Sequence, residues 1–217
     1  MAEPGDDDKP LRKIAQSFKE LAAALNSETA DLNSETADIE LAPFSQACSL
    51  VLPLIGSLGI AFKFAEMDLA PKVRILADAS KSIKTLPALL DCDVESNCIS
   101  KPGCHSRHLL RVNRGLDVVR VFFEQILESE GDSYKDAAKK AYAQVLAPFH
   151  GWAIRKAVAA AINLLPTTGD LLKKVKEDEN SAKTYLRDYI VASEAVILYV
   201  NGLFLSRGLG VDLKEKP

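Results

Sequence analysis

Residues 105–129 read HSRHLLRVNRGLDVVRVFFEQILES, and the spacing within this stretch decides the fold class. Leu109, Val112, Leu116, Val119, Phe123 and Ile126 recur at alternating intervals of three and four, so on an α-helix they form one apolar stripe facing a core. The same period appears after Pro10, at Leu11, Ile14, Phe18, Leu21 and Leu25. No stretch alternates apolar and polar residues as a half-buried strand requires. Only 6% of the 217 residues are aromatic, while Ala and Leu abound and β-branched runs are few. These features predict an all-α protein of seven or eight helices packed in layers around one interior. A hydrophobic fraction of 47% with 26% charged residues fits a single domain with a substantial core.

Working outward, helices are predicted at 10–25, 43–70 with a kink at Pro53, 73–90, 134–146, 151–165, 169–177 and 181–206. The domain spans 10–212, between an acidic tail at 1–9 and a short tail at 213–217. The heptapeptide LNSETAD occurs at 25–31 and again at 32–38, and its polar composition marks 26–40 as a lengthened surface loop. Residues 42–62 contain no charge and are nominally long enough to span a bilayer. Gln46, Pro53, Gly56, Gly59 and three serines interrupt them, and no Lys/Arg cluster flanks them, so a buried core helix is the better reading.

A net charge of -3 argues against a nucleic-acid partner, so any anion site must be local. Glu3, Asp6, Asp7 and Asp8 replace the basic start of a secretory or organellar leader, which points to the cytoplasm. Four cysteines in that setting read as reduced thiols. Cys92, Cys98 and Cys104, with His105 beside the last, suggest a metal, but five residues between thiols is loose for zinc, and neither metal nor cofactor is expected.

The opposite face of the 105–129 helix carries Arg107, Arg111 and Arg114, then continues through Val118 and Phe122. A line that turns from cationic to apolar matches a ligand with an anionic head and a hydrocarbon tail. Arg107 and Arg111, four residues apart, can converge on one phosphate, and their planar forks suit it; a solvated basic face is the plainer alternative. Asp68 and Lys72 are likewise four apart, which alone is an ordinary helical ion pair. His150 and Trp152 share the segment APFHGW.

Together these stretches resemble the glycolipid transfer protein family. The resemblance rests on FKFAEMD at 62–68 with Lys72, RHLLRVNRGL at 107–116 and FHGWAIR at 149–155, and it covers about 10–212. Within the family it is nearest to the plant accelerated-cell-death type of ceramide-1-phosphate transfer protein. It implies a two-layer helical sandwich of about eight helices enclosing lipid chains, with a head-group site above them. Asp68 would accept from the sphingoid amide and hydroxyl, and His150 would donate to the amide carbonyl. Lys72, Arg107 and Arg111 would bind phosphate, with Arg114 a weaker candidate, and Trp152 would touch the membrane. Members that carry neutral glycolipids have Trp where Arg111 stands, as a platform for a sugar; Arg offers no such platform and neutralises phosphate. The implied activity is non-enzymatic transfer of ceramide-1-phosphate or its phyto form by a monomer that touches membranes transiently. Alternatives are a sphingolipid sensor or scaffold in cell death, a carrier of neutral glycosphingolipids, and an enzyme using His150, Asp68 and Lys72.

Overall fold

A computed structural model describes residues 9–26, 38–99, 101–128, 134–165 and 178–211. Among these residues the chain forms eight α-helices: α1 Pro10–Asn26, α2 Leu41–Ser57, α3 Ile60–Ala79, α4 Leu86–Glu95, α5 His105–Glu128, α6 Tyr134–Val145, α7 Trp152–Asn163 and α8 Glu179–Ser206. A 3-10 turn, Ala147–Phe149, joins α6 to α7. No strand occurs among the described residues, only an isolated bridge between Glu40 and Thr85. The all-α expectation therefore holds. The predicted helix at 169–177, most of the duplicated loop and nearly all of both tails lie outside the described residues.

The predicted stripe makes α5 the shared element of the core: α3, α6 and α8 all pack on it, while α1 lies against α8 and α2. Leu109, Val112, Leu116, Val119 and Phe123 are buried as expected. Tyr189 of α8 sits between Phe18 of α1 and Phe123 of α5, with ring centroids 5.0 and 5.7 Å away and both contacts edge-on.

The apolar segment differs from expectation. Instead of one helix kinked at Pro53, α2 ends at Ser57 and α3 starts at Ile60. The break falls at Leu58 and Gly59, where Gly59 adopts φ 127°, a conformation that side chains oppose. The Tyr134 hydroxyl donates to the Leu58 carbonyl at 2.9 Å, satisfying a group left orphaned near the helix end. Pro53 and Pro71 lie inside α2 and α3 on exposed faces, where water can serve the carbonyls that each ring leaves unbonded.

The predicted helix at 73–90 is also redrawn. Residues 73–79 extend α3, and α4 begins afresh at Leu86 behind the N-cap Thr85, whose hydroxyl accepts from Ala88 N at 3.3 Å. As expected, α2 is a core helix, with Leu41, Phe44, Val51, Leu54 and Ile55 buried. The segment Asn180–Ser206 of α8 is long and apolar enough to cross a membrane by length and composition, yet it packs on α1 and α5 through Leu186, Tyr189, Val196, Val200 and Phe204.

Candidate lipid-binding site

The helices around α5 leave a cavity of about 740 Å³, within the usual size of ligand pockets. Phe62, Ala65 and Leu69 of α3, Leu110, Val118 and Val119 of α5, Ala138 of α6, and Ile154, Val158 and Ile162 of α7 supply an apolar lining. Asp68, Arg107, Arg111, Arg114 and His150 line the same cavity, so residues from three distant stretches of chain converge there. The cationic-to-apolar line on α5 therefore does not face solvent throughout. Arg111 is exposed, Arg107 is buried, Val118 is partly covered and Phe122 is fully buried, packed edge-on against Tyr134 with centroids 5.0 Å apart.

Lys72 and Trp152 are placed differently from the rest. Lys72 is buried and does not itself line the cavity; its Nζ donates to Asp68 Oδ1 at 2.7 Å and to the Asp68 carbonyl at 2.6 Å, which ties the carboxylate to a cation. Trp152 does not line the cavity and is 75% exposed. Phe64 and Met67 of α3 are also largely exposed, Phe149 and Ile154 nearly half so, and α3 and α7 are in contact. Lys63, Arg155 and Lys156 stand among them in the sequence and are exposed. Exposed apolar side chains interspersed with exposed cations suit a lipid headgroup layer.

Local chemistry orders the polar groups. The Tyr142 hydroxyl lies 2.9 Å from His150 Nδ1, and Arg155 Nε donates to the His150 carbonyl at 2.8 Å. Burial pushes the His150 pKa below its ordinary value, and Arg111, Arg114 and Arg155 push the same way against Asp68. A neutral ring that accepts from Tyr142 at Nδ1 keeps its proton on Nε2. Arg114 stacks 3.6 Å above the Phe149 ring and also donates to the Val211 carbonyl, so part of its fork is already engaged. Burial likewise lowers the His108 pKa, helped by Lys72, His105 and Arg111.

Sequence reasoning missed Tyr142, Phe149 and Arg155. Each contacts a candidate site residue, and only the FHGWAIR motif, which contains two of them, drew attention to the region.

Two expected outcomes follow from this geometry. Because folding lowers the His150 and His108 pKa values, the unfolded chain takes up protons first as pH falls, so stability is full above the ordinary value of 6.5 and declines below it. Thermal midpoints measured from pH 7.5 down to 5.5 should fall, less so in His150→Gln. At Gly115, which lines the cavity, an added Cβ would stand 2.5 Å from Leu69 Cδ1. Leu69 can turn into the cavity, so Gly115→Ala should change stability by no more than about 1 kcal/mol, helix propensity offsetting the crowding. It should nonetheless slow lipid uptake several-fold, and denaturation together with a transfer assay reads both effects.

The glycolipid transfer protein family model matches residues 39–177. The chain is 54% identical over 206 residues to Accelerated cell death 11 of Arabidopsis thaliana, an alignment covering 94% of this chain and 97% of that protein. A crystal structure of a mutant of that Arabidopsis protein complexed with C12 ceramide-1-phosphate superposes with a TM-score of 0.88 at 53% identity, covering 94% of this chain and 100% of the other. Human ceramide-1-phosphate transfer protein in complex with 12:0 ceramide-1-phosphate shares the fold, with a TM-score of 0.77 at 23% identity over 92% of this chain and 97% of that one. With its motifs gathered around one cavity and the family model matching well over half its length, the chain belongs to the glycolipid transfer protein family.

Proposed function

We propose that this protein takes up ceramide-1-phosphate, or its phyto form, and carries it between membranes through the cytoplasm without altering it chemically. The observation that carries this reading is one apolar cavity lined by three arginines, a carboxylate and a histidine. The Arabidopsis relative solved with ceramide-1-phosphate supports the choice of lipid.

Exposing a methylene to water costs about 0.8 kcal/mol, so a two-chain lipid is held from free solution by tens of kcal/mol. A cavity walled by Phe, Leu, Ile and Val replaces the bilayer interior, so the chains move at little net cost. Selectivity then falls to the head. Lys72 holds one carboxylate oxygen of Asp68, leaving the other to accept from the amide N–H and hydroxyl. His150 donates from Nε2 to the amide carbonyl. Arg107 and Arg111 bind the phosphate, with Lys72 adding charge from behind and Arg114 contributing less because Phe149 and Val211 occupy it. Trp152, with Phe64 and Met67, rests in the headgroup layer while the lipid moves.

None of these steps forms or breaks a covalent bond. The test uses donor vesicles containing ceramide-1-phosphate, empty acceptors and mass spectrometry of both after incubation. Lipid of unchanged mass should appear in the acceptors in proportion to protein. A product of altered mass would mean catalysis, and lipid that stays bound without reaching the acceptors would mean a sensor.

A further inference from the structure

Directly ahead of the arginine helix stands a second cluster that lipid carriage does not use. Cys98 Sγ and Cys104 Sγ lie 3.3 Å apart, and Cys104 Sγ lies 2.8 Å from Asp93 Oδ2. The same oxygen accepts from Ser106 N at 2.6 Å and Ser106 Oγ at 2.7 Å, so the buried Asp93 carboxylate caps the first turn of α5. The Cys104 carbonyl accepts from Arg107 N at 3.1 Å and His108 N at 3.3 Å, which ties Cys104 to the first turn of the helix. The donor set of Asp93, Cys98 and Cys104 is of a kind that binds metals. Yet Asp93 Oδ2 is already filled by three donors, and a cation would have to break that cap. Two thiols in contact need give up only the Cys104 bond of that cap: they have to close from 3.3 Å to the roughly 2 Å of a disulfide, across a loop short enough to allow it.

We propose that Cys98 and Cys104 are a reversible oxidation site, which a hydroperoxide converts to a disulfide that slows head-group binding at the arginines of α5. Cys98 is the more exposed thiol and meets the oxidant; Cys104 is buried, and burial with Asp93 beside it pushes its pKa up to about 12, so it stays a thiol. Hydrogen peroxide transfers one oxygen to Cys98, giving a sulfenic acid and one water. Cys104 then attacks that sulfur, its proton passing to Asp93 Oδ2 and on to the departing hydroxide, which leaves as a second water. Two thiols lose two electrons, and peroxide is reduced to two waters. A disulfide of this kind in the cytoplasm is transient, because thiol reductants restore the pair. Closing it removes the Cys104 donor from the Asp93 cap and fixes the turn three residues ahead of Arg107, which is why binding weakens. The effect on binding rests on the head-group reading proposed above.

The experiment treats the reduced protein with hydrogen peroxide and follows intact mass, peptide linkage and ceramide-1-phosphate transfer. The parent should lose the mass of two hydrogens through a Cys98–Cys104 link, and its transfer should slow by about fivefold and recover with dithiothreitol, as the loss of one capping hydrogen bond implies. Cys98→Ser should transfer at the parental rate and show neither change; Cys92→Ser should show both. Retained thiols, pairing through Cys92, or zinc that co-purifies and protects both sulfurs would overturn the site. A rate unchanged by complete disulfide formation would overturn its effect on binding. Mass and linkage do not depend on the lipid, so failure of the reduced protein to transfer ceramide-1-phosphate would count against the proposed function alone.

Discussion

Arg107→Leu will slow ceramide-1-phosphate transfer by about a hundredfold, and Arg111→Leu by a similar factor, while circular dichroism stays that of the parent. In the proposed site each guanidinium supplies the phosphate with charge-assisted hydrogen bonds worth about 1.5–3 kcal/mol apiece, and about 3 kcal/mol corresponds to two orders of magnitude. The fold should survive for different reasons at the two positions. Arg107 is buried beside apolar cavity walls that accept Leu, whereas Arg111 is exposed and carries little of the core. Transfer within a few-fold of the parent in both variants would remove the arginines from the head-group site.

Asp68→Asn is expected to weaken ceramide-1-phosphate binding by about tenfold, because an amide cannot present the acceptor-only carboxylate to two donors at once. Removing the carboxylate charge also leaves the buried Lys72 ammonium with only neutral acceptors at position 68, the side-chain amide oxygen and the backbone carbonyl. Asp68 stands largely in solvent, so this costs stability no more than about 1 kcal/mol. The more telling result concerns selectivity. Phosphatidic acid lacks the amide, so it should lose little in the variant, and the parental preference for ceramide-1-phosphate over phosphatidic acid should narrow. Equal losses for both lipids would show that Asp68 acts through Lys72 and the phosphate rather than by reading the amide.

The periodicity of α5 was legible because its buried stripe from Leu109 to Phe123 is apolar at every position, whereas the buried part of the opposite face mixes Arg107 with Phe122 and writes no such pattern. The break between α2 and α3 was not. The segment is apolar on every side, so periodicity is weak there, and Pro53 drew attention away from Gly59, whose positive φ is what ends the run. Thr85 followed by Leu86 and Pro87 was a readable start signal for α4, hidden by the assumption that residues 73–90 formed one helix.

At the site, spacing brought Arg107 and Arg111 together, but only the resemblance joined them to Asp68 and His150, which lie dozens of residues away along the chain. Tyr142 illustrates what no pattern reveals. It stands a helix end and a 3-10 turn away from His150, and its hydroxyl reaches the imidazole only because Ala147–Phe149 folds the chain back. The cysteine cluster is similar: thiols spaced loosely in the sequence lie in contact, and Asp93 ties Cys104 and Ser106 into the cap of α5, which no spacing rule reveals.

A head-group site that selects by charge and amide above an oily cavity has a plain signature in vesicle-to-vesicle transfer of three lipids matched in chain length. Ceramide-1-phosphate should move fastest, phosphatidic acid should trail by at least about tenfold for want of the amide, and a neutral glycosphingolipid should barely move. A glycosphingolipid carried as fast as ceramide-1-phosphate would mean that the arginines do not select the head.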